Sequence, residues 1–295
     1  MNIGVFGLSG FVGGHLKGGL EKAGHTVAGL SLRKTGWESK LENCEAVINL
    51  AGEPIFGKRW NVDVKAEIYN SRVHGTEKIV AAMGKIHAAD SSKAKTFVCA
   101  SAVGFYGAND FENLDETSSA GKDFLAFVCR DWEAAAETAQ MRYKIRTSIV
   151  RTGIVLGPDG GALQTMMYPM GTELISPFKL GLGGPINSGK QWMSWIHVDD
   201  LCGIYQHAVE NETVSGALNG TSPNPVRNLN FTKTLGAVLN RPTPFPIPGP
   251  ALYLRFGESA SILTTGQKVL PKATMQSGFQ FKYDSLNDAL VDCLK

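Results

Sequence analysis

Apolar positions recur in two alternating rhythms through the first half of the chain. Short apolar runs, IGVFG at 3–7, HTVAGLSL at 25–32, CEAVINLAG at 44–52 and KTFVCAS at 95–101, have the length and composition of strands. Helical stretches lie between them: FVGGHLKGGLEKAG at 11–24, a long one from about Trp60 to Met83, and another from about Asp123 to Met141. RTSIVRTGIVLG at 146–157 closes the set as one further strand. Strands and helices alternating at this spacing imply parallel strands joined by crossover helices. The expected fold is therefore α/β, a doubly wound parallel sheet with helices on both faces.

After Gly157 the rhythm breaks. Glycine- and proline-rich stretches such as GLGGPINSGKQW and RPTPFPIPGPALY separate shorter elements, without repeats or low-complexity tracts. The division predicted is 1–157 for a nucleotide-binding domain and 158–295 for a smaller substrate region that returns elements to the first.

Composition narrows the function. The chain has 295 residues, 43% hydrophobic and 19% charged, enough to bury a sizeable core. A net charge of only +2 gives no general electrostatic case for nucleic acid or an anionic membrane. Five scattered cysteines without a CxxC pair read as buried free thiols in a reducing compartment, and no metal site is expected. MNIGVFG enters a strand pattern without a charged leader, and no apolar run approaches about 18 residues. A cytoplasmic protein is the expectation, monomer or homodimer.

The first helix opens on VFGLSGFVGGHL, in which Gly7, Gly10 and Gly13 stand three apart between a strand and a helix. The first glycine allows a tight turn, the second lets a pyrophosphate approach the backbone, and the third lets the helix pack closely. The phosphates, with Phe11 and Val12 beside them, then meet a helix N-terminus whose free N–H groups and dipole favour negative charge. The second strand ends in SLRKTG: Ser31, Arg33 and Lys34, with no carboxylate before Glu38. An NAD site places an acid there for the ribose 2′-hydroxyl, whereas a guanidinium binds a 2′-phosphate. NADP(H) is the cofactor expected, with a solvated basic turn as the alternative.

From these residues onward the chain resembles an atypical extended short-chain dehydrogenase/reductase. The resemblance runs through Gly7-Gly10-Gly13, INLAG, SRVHGTEKIV, SAVGFYG, IVRTGIVLGP and WIHVDDL. The narrower likeness, to the epimerase-family or nucleoside-diphosphate-sugar-epimerase-like branch, rests on RDWEAAA, KLGLGGPINSGKQWMSWIHVDD and LTTGQKVLPKATMQSGFQFKY. It implies a Rossmann-like domain with a small C-terminal substrate region. It also implies that Leu50, Ala51 and Gly52 pass beneath the adenosine side of the cofactor, that Glu67 and Arg72 reach it from the long helix, and that Ile154 lies near the nicotinamide. Charges on helices are usually solvated, so a plain helix face is the alternative for Glu67 and Arg72. Gly75 and Thr76 read as helix-packing residues.

Members of that superfamily use a tyrosine and a lysine four residues later, on one helix face, to move the proton that accompanies hydride. None of the seven tyrosines here has a lysine four positions on. Aligned on Glu133, the pair falls on Leu125 and Cys129. Three groups could stand in: Tyr106 in GFYG, Ser101 in the same loop, and Cys129 if its thiol were acidic. The alternative for Tyr106 is packing at the strand terminus and for Cys129 an inert buried thiol, while the resemblance leaves Ser101 one place from the usual hydroxyl position, now Ala102.

GPINSGKQ, at 184–191, imitates a P-loop, but Gln191 stands where Ser or Thr must hold Mg²⁺. It reads instead as a substrate-pocket wall, with Lys190, Gln191 and Trp192 open to an anionic or ring-shaped small molecule. In HVDD, Asp199 or Asp200 is expected to cap a helix. Together these features predict an NADP(H)-binding oxidoreductase- or epimerase-like enzyme acting on an unidentified small molecule, possible substrates including nucleotide sugars. The alternative is a catalytically silent module that senses the cofactor's redox state.

Overall fold

The computed structural model describes residues 1–169 and 176–295. Its strands are β1 (Asn2–Phe6), β2 (Thr26–Leu30), β3 (Ala46–Asn49), β4 (Thr96–Ala102), β5 (Asn109–Leu114), β6 (Arg146–Thr152), β7 (Ile154–Leu156), β8 (Trp192–Met193), β9 (Trp195–His197), β10 (Gly216–Gly220), β11 (Val226–Arg227) and β12 (Gln267–Val269). The helices that place the site are α1 (Phe11–Lys22), α2 (Trp37–Leu41), α3 (Val62–Ala89), α4 (Phe124–Tyr143), α5 (Gly161–Met167) and α6 (Val198–Glu210).

Six parallel strands form the central sheet in the order β10-β6-β4-β3-β1-β2. The fold is a Rossmann-like α/β arrangement. Helices α1 and α6 pack together on one face, over Ile3, Val5, Leu16, Leu20, Ile196, Leu201 and Tyr205. On the other face α3 packs on α4 over Phe6, Val47, Ile79, Met83, Phe97 and Trp132. The near-continuous apolar runs of the sequence follow directly: strands covered on both faces need no polar side.

Two expectations change. RTSIVRTGIVLG is two strands, because a Cβ at Gly153 would overlap the Ser194 carbonyl oxygen and lie 2.9 Å from Thr221 Cγ2. The chain turns there, and β7 leaves the central sheet to pair with β9. The sheet's edge comes instead from GALNG at 216–220, well beyond Gly157 and too glycine-rich to announce a strand.

The C-terminal residues are fastened by two carboxylates, Asp200 buried and Glu116 half-buried. Asp200 accepts the backbone N–H groups of Lys282 (2.8 Å) and Tyr283 (2.9 Å). Glu116 accepts those of Asn219 (2.9 Å) and Ala273 (3.0 Å). The expected aspartate cap of α6 is corrected by this arrangement: the capping residue is His197, whose Nδ1 accepts the Asp199 N–H at 3.1 Å. Among the described residues no helix is long and apolar enough to cross a membrane.

Candidate functional site

The sheet's connections change direction between β1 and β3, and the crevice outside such a point is where open α/β sheets take ligands. The chain leaves β1 through Gly7 at φ +82°, and a Cβ there would lie 2.9 Å from the Leu50 carbonyl carbon. At Gly13 a Cβ would overlap the Gly7 carbonyl oxygen and lie 2.7 Å from Leu8 Cα. Both glycines are therefore demanded by the fold itself.

Gly10 is different. Its backbone is extended, at φ −79° and ψ 170°, and an added Cβ would meet its nearest neighbour at 3.3 Å. What its bareness does is leave α1 without a side-chain cap. The first-turn N–H groups, including those of Phe11, Val12 and Gly13, lack intrahelical partners and concentrate positive potential. They border a cleft of about 460 Å³ lined by Ser9, Gly10, Phe11, Gly14, His15 and Asp159. A phosphate fits this uncapped end.

The Phe11 ring turns away into the loop after β7. A Cβ at Gly160 would lie 2.8 Å from its Cγ, and Gly157 and Gly161 crowd it similarly. Phe11 thus presents backbone to the cleft while its ring seats the 157–161 loop, which brings Asp159 to His15 Nε2 at 2.8 Å. The carbonyl of Val12 accepts the Cys202 thiol at 3.7 Å, and its side chain packs on the core.

At the end of β2, Ser31 Oγ accepts the Arg33 N–H at 3.3 Å, and the Ser31 carbonyl accepts that of Lys34 at 3.1 Å. This turn leaves Lys34 exposed and the Arg33 side chain 81% exposed. Arg33 nevertheless has a partner that its own strand does not reveal: it is ion-paired with Glu53, which follows β3. No local pattern could announce that contact, since it depends on how β2 and β3 flank β1.

The end of β3 is fixed by Asn49, 1% exposed, whose Oδ1 accepts the Ala51 N–H at 3.1 Å. Asn49 Nδ2 donates to Thr76 Oγ1 (3.0 Å), which also accepts Trp132 Nε1 (2.9 Å). Leu50 donates its N–H to the Phe6 carbonyl at 2.9 Å. Asn49 and Trp132 were absent from the sequence candidates because their role is to position their neighbours.

Arg72 reaches the same strip from α3. A Cβ at Gly52 would lie 3.0 Å from its Cζ, so the guanidinium lies against the bare Gly52 backbone. It sits 5.3 Å from the Trp132 ring centroid and donates to the Ile68 carbonyl at 3.2 Å. Burial lowers its pKa, and among the described residues no carboxylate is within ion-pairing distance of it. Glu67, by contrast, is exposed and meets Lys58 Nζ at 3.7 Å.

The three groups proposed for proton transfer all lie in the interior. Tyr106 is 4% exposed; its hydroxyl donates to Asn219 Oδ1 (2.7 Å) and accepts Arg151 Nη1 (2.9 Å). Burial pushes its pKa up to about 12, although Arg151 opposes the shift. Ser101 Oγ donates to Glu133 Oε1 at 2.6 Å. Glu133 also holds Arg151 bidentately, Nε–Oε1 at 2.9 Å and Nη2–Oε2 at 2.8 Å. Burial alone would lower the Arg151 pKa, but the bonds to Glu133 and the contact with Tyr106 hold it above its ordinary value. Cys129 has its thiol raised to about 12 by burial and then by Glu133, against the pull of Arg72. Leu125 and Cys129 flank Gly104, at 3.3 and 3.8 Å from a Cβ placed there.

Farther out, Ile154 is half-buried in β7 beside Trp195. Gln191 is 6% exposed and donates to the carbonyls of Ile186 (3.3 Å) and Leu263 (3.1 Å), so it braces the loop from within. Lys190 is exposed. The Trp192 ring lies 4.0 Å from the Arg227 guanidinium and 4.8 Å from Lys268 Nζ. The segment after GPINSGKQ is β8 rather than a helix, so a P-loop is absent.

The NAD dependent epimerase/dehydratase family matches residues 3–219, and a domain of unknown function, DUF1731, matches residues 247–293. An Arabidopsis thaliana protein named as a chloroplastic SDR39U1 homologue of the epimerase family is 40% identical, over 98% of this chain and 86% of its own length. Human epimerase family protein SDR39U1 is 38% identical over 99% of each chain. The crystal structure of human SDR39U1 (isoform 2) with NADPH superposes with a TM-score of 0.89 at 35% identity, covering 99% of both chains.

Proposed function

The chain belongs to the NAD dependent epimerase/dehydratase family, and on that premise we propose that it binds NADP(H) and acts on a small molecule as an oxidoreductase- or epimerase-like protein. The observation that carries this reading is the uncapped N-terminus of α1, bordered by a cleft, with an exposed guanidinium at the end of β2. Gly7, Gly10 and Gly13, with the backbone of Phe11 and Val12, hold the pyrophosphate. Ser31, Arg33 and Lys34 surround the adenosine 2′-phosphate. Leu50, Ala51 and Gly52 form the floor of the adenosine side, Arg72 faces the sugar phosphates, Glu67 stands at the rim, and Ile154 borders the nicotinamide. The relative crystallised with NADPH supports the same cofactor here.

When bound, the dinucleotide supplies or accepts a hydride at nicotinamide C4. The chain's own residues bind and orient. Ser101, Tyr106 and Cys129 remain the candidates for the accompanying proton, and Lys190 with Trp192 the candidates for substrate contact. A second reading is favoured by one specific observation: all three proton candidates are buried, two with pKa values near 12 and the third already donating to Glu133. In that reading the protein senses the NADPH/NADP⁺ ratio and performs no turnover.

A metabolite panel followed by nicotinamide absorbance separates the two. Turnover that is lost in Arg72→Ala supports the enzyme. Inactivity on every compound, with tight NADPH binding retained, supports the sensor.

A further inference from the structure

The ion pair between Arg33 and Glu53 occupies a particular place. Arg33 follows β2 and Glu53 follows β3, and in the sheet these two strands flank β1 on opposite sides. The pair therefore crosses over the carboxyl end of β1, where the glycine loop begins. It bridges the two walls between which the adenosine half of a dinucleotide lies in this fold class.

The partners are not equivalent. Arg33 is 81% exposed, on a long side chain free to move, while Glu53 is 28% exposed. The Glu53 backbone is pinned, its N–H donating to Ser71 Oγ at 3.1 Å, and that hydroxyl donates in turn to the Ile68 carbonyl at 3.1 Å. Gly52 beside it is held under the Arg72 guanidinium. The carboxylate is thus the fixed element and the guanidinium the movable one. An acid at this place is also what the end of β2 lacks: an acceptor for a ribose 2′-hydroxyl.

We propose that the Arg33–Glu53 pair is a charge clasp across the adenosine groove whose two halves sort the cofactor, the guanidinium taking a 2′-phosphate and the carboxylate a 2′-hydroxyl. The inference rests on the cofactor reading above and refines it. A 2′-phosphate must draw Arg33 away from Glu53 and then sit near a carboxylate of the same sign, so Glu53 weakens NADPH binding. An unphosphorylated ribose meets no such repulsion and gains an acceptor, so Glu53 keeps NADH a usable ligand. The protein is consequently less selective than its basic β2 end alone implies.

Exposed ion pairs are worth about 0–1 kcal/mol, which is up to about fivefold in an equilibrium constant. Glu53→Gln removes the carboxylate's charge and keeps its shape. The expected result is that NADPH binds up to about fivefold more tightly and NADH several-fold more weakly, so the NADH/NADPH ratio of dissociation constants rises about tenfold. Arg33→Ala should move the ratio the other way. The NADPH gain in Glu53→Gln should shrink as salt rises, since the repulsion removed is exposed and screened.

The test is a fluorescence titration of folded wild-type, Glu53→Gln and Arg33→Ala protein with NADPH and NADH at low and high salt. A ratio unchanged by Glu53→Gln, with Arg33→Ala still lowering it, overturns the clasp and leaves the cofactor reading intact. Absence of binding by wild-type protein to either dinucleotide overturns the cofactor reading itself. Weaker NADPH binding in Glu53→Gln also overturns the clasp, because it would make Glu53 a support for Arg33 rather than its competitor.

Discussion

Replacing Glu133 by Gln tests whether the polar chain Ser101–Glu133–Arg151–Tyr106 belongs to the framework. Both charged side chains are 6% exposed, so solvent offers little relief when one charge is removed. Glu133 accepts three donors, Ser101 Oγ at 2.6 Å and two Arg151 nitrogens at 2.9 and 2.8 Å. Gln keeps the volume but turns an NH₂ toward one of these donors and leaves the Arg151 charge unmatched. Breaking one side of such a buried pair costs about 3–5 kcal/mol. The lower end is expected, because Arg151 retains the Glu116 carbonyl at 3.2 Å and the face of Phe105, 3.5 Å from its centroid. At about 2–4 °C per kcal/mol for a large domain, a loss of about 3 kcal/mol should lower Tm by about 6–12 °C. The assay is thermal and urea unfolding, with NADPH titration of the folded protein below the transition. Glu133→Leu combined with Arg151→Met should recover much of the loss, since an apolar pair of similar volume leaves no buried charge. A loss below about 1 kcal/mol, the range of an exposed pair, would refute this reasoning.

Other expectations follow from single features. Gly13→Ala drives a Cβ into the Gly7 carbonyl and should cost about 1–3 kcal/mol and weaken NADPH binding. Gly18→Ala on the same helix, with nothing within 4 Å, should stabilise by up to about 1 kcal/mol; urea unfolding of both variants checks the contrast. All five cysteines are buried, so a thiol reagent should label none quickly in the native protein and all five after denaturation; rapid native labelling of Cys129 would identify it as a reactive thiol. His197 is buried against Tyr283, ring centroids 4.0 Å apart, with Asp292 at 3.5 Å. Burial lowers its pKa below 6.5 despite the nearby aspartates, so the unfolded chain binds the proton more readily. Its contribution to stability is therefore present above pH 6.5 and declines as pH falls from there towards the folded-state value. Tm of the wild type should drop over that range more than Tm of His197→Asn, which retains a capping acceptor.

The parallel sheet was legible because β1, β3, β4 and β6 are covered on both faces and read as unbroken apolar runs. Gly7 and Gly13 were legible because backbone crowding leaves only one residue type for each place. GALNG was not, since β10 is recognisable only by the bonds it makes to β6. The split at Gly153 was invisible for a similar reason: it is forced by Ser194, more than forty positions away in the chain. The candidate site divides in the same way. Arg33 could be named from its position after β2, but Glu53 could not be paired with it without knowing that β1 lies between their strands. Gln191 looked available to a ligand and is instead bonded to two loop carbonyls, and Phe11 lends the cleft its backbone and not its ring. Burial and partner identity belong to the third dimension, and residues whose work is to hold others, such as Asn49 and Trp132, leave no motif.

Calorimetric titration of the purified chain with NADPH examines the cradle most directly. One dinucleotide per chain should bind with measurable heat, and capping the bare end of α1 by Gly10→Asp should abolish it while the protein stays folded, because a carboxylate would then take the N–H groups and repel the pyrophosphate. Silence of the wild type towards NADPH, NADP⁺ and their unphosphorylated analogues alike would contradict the account at its root.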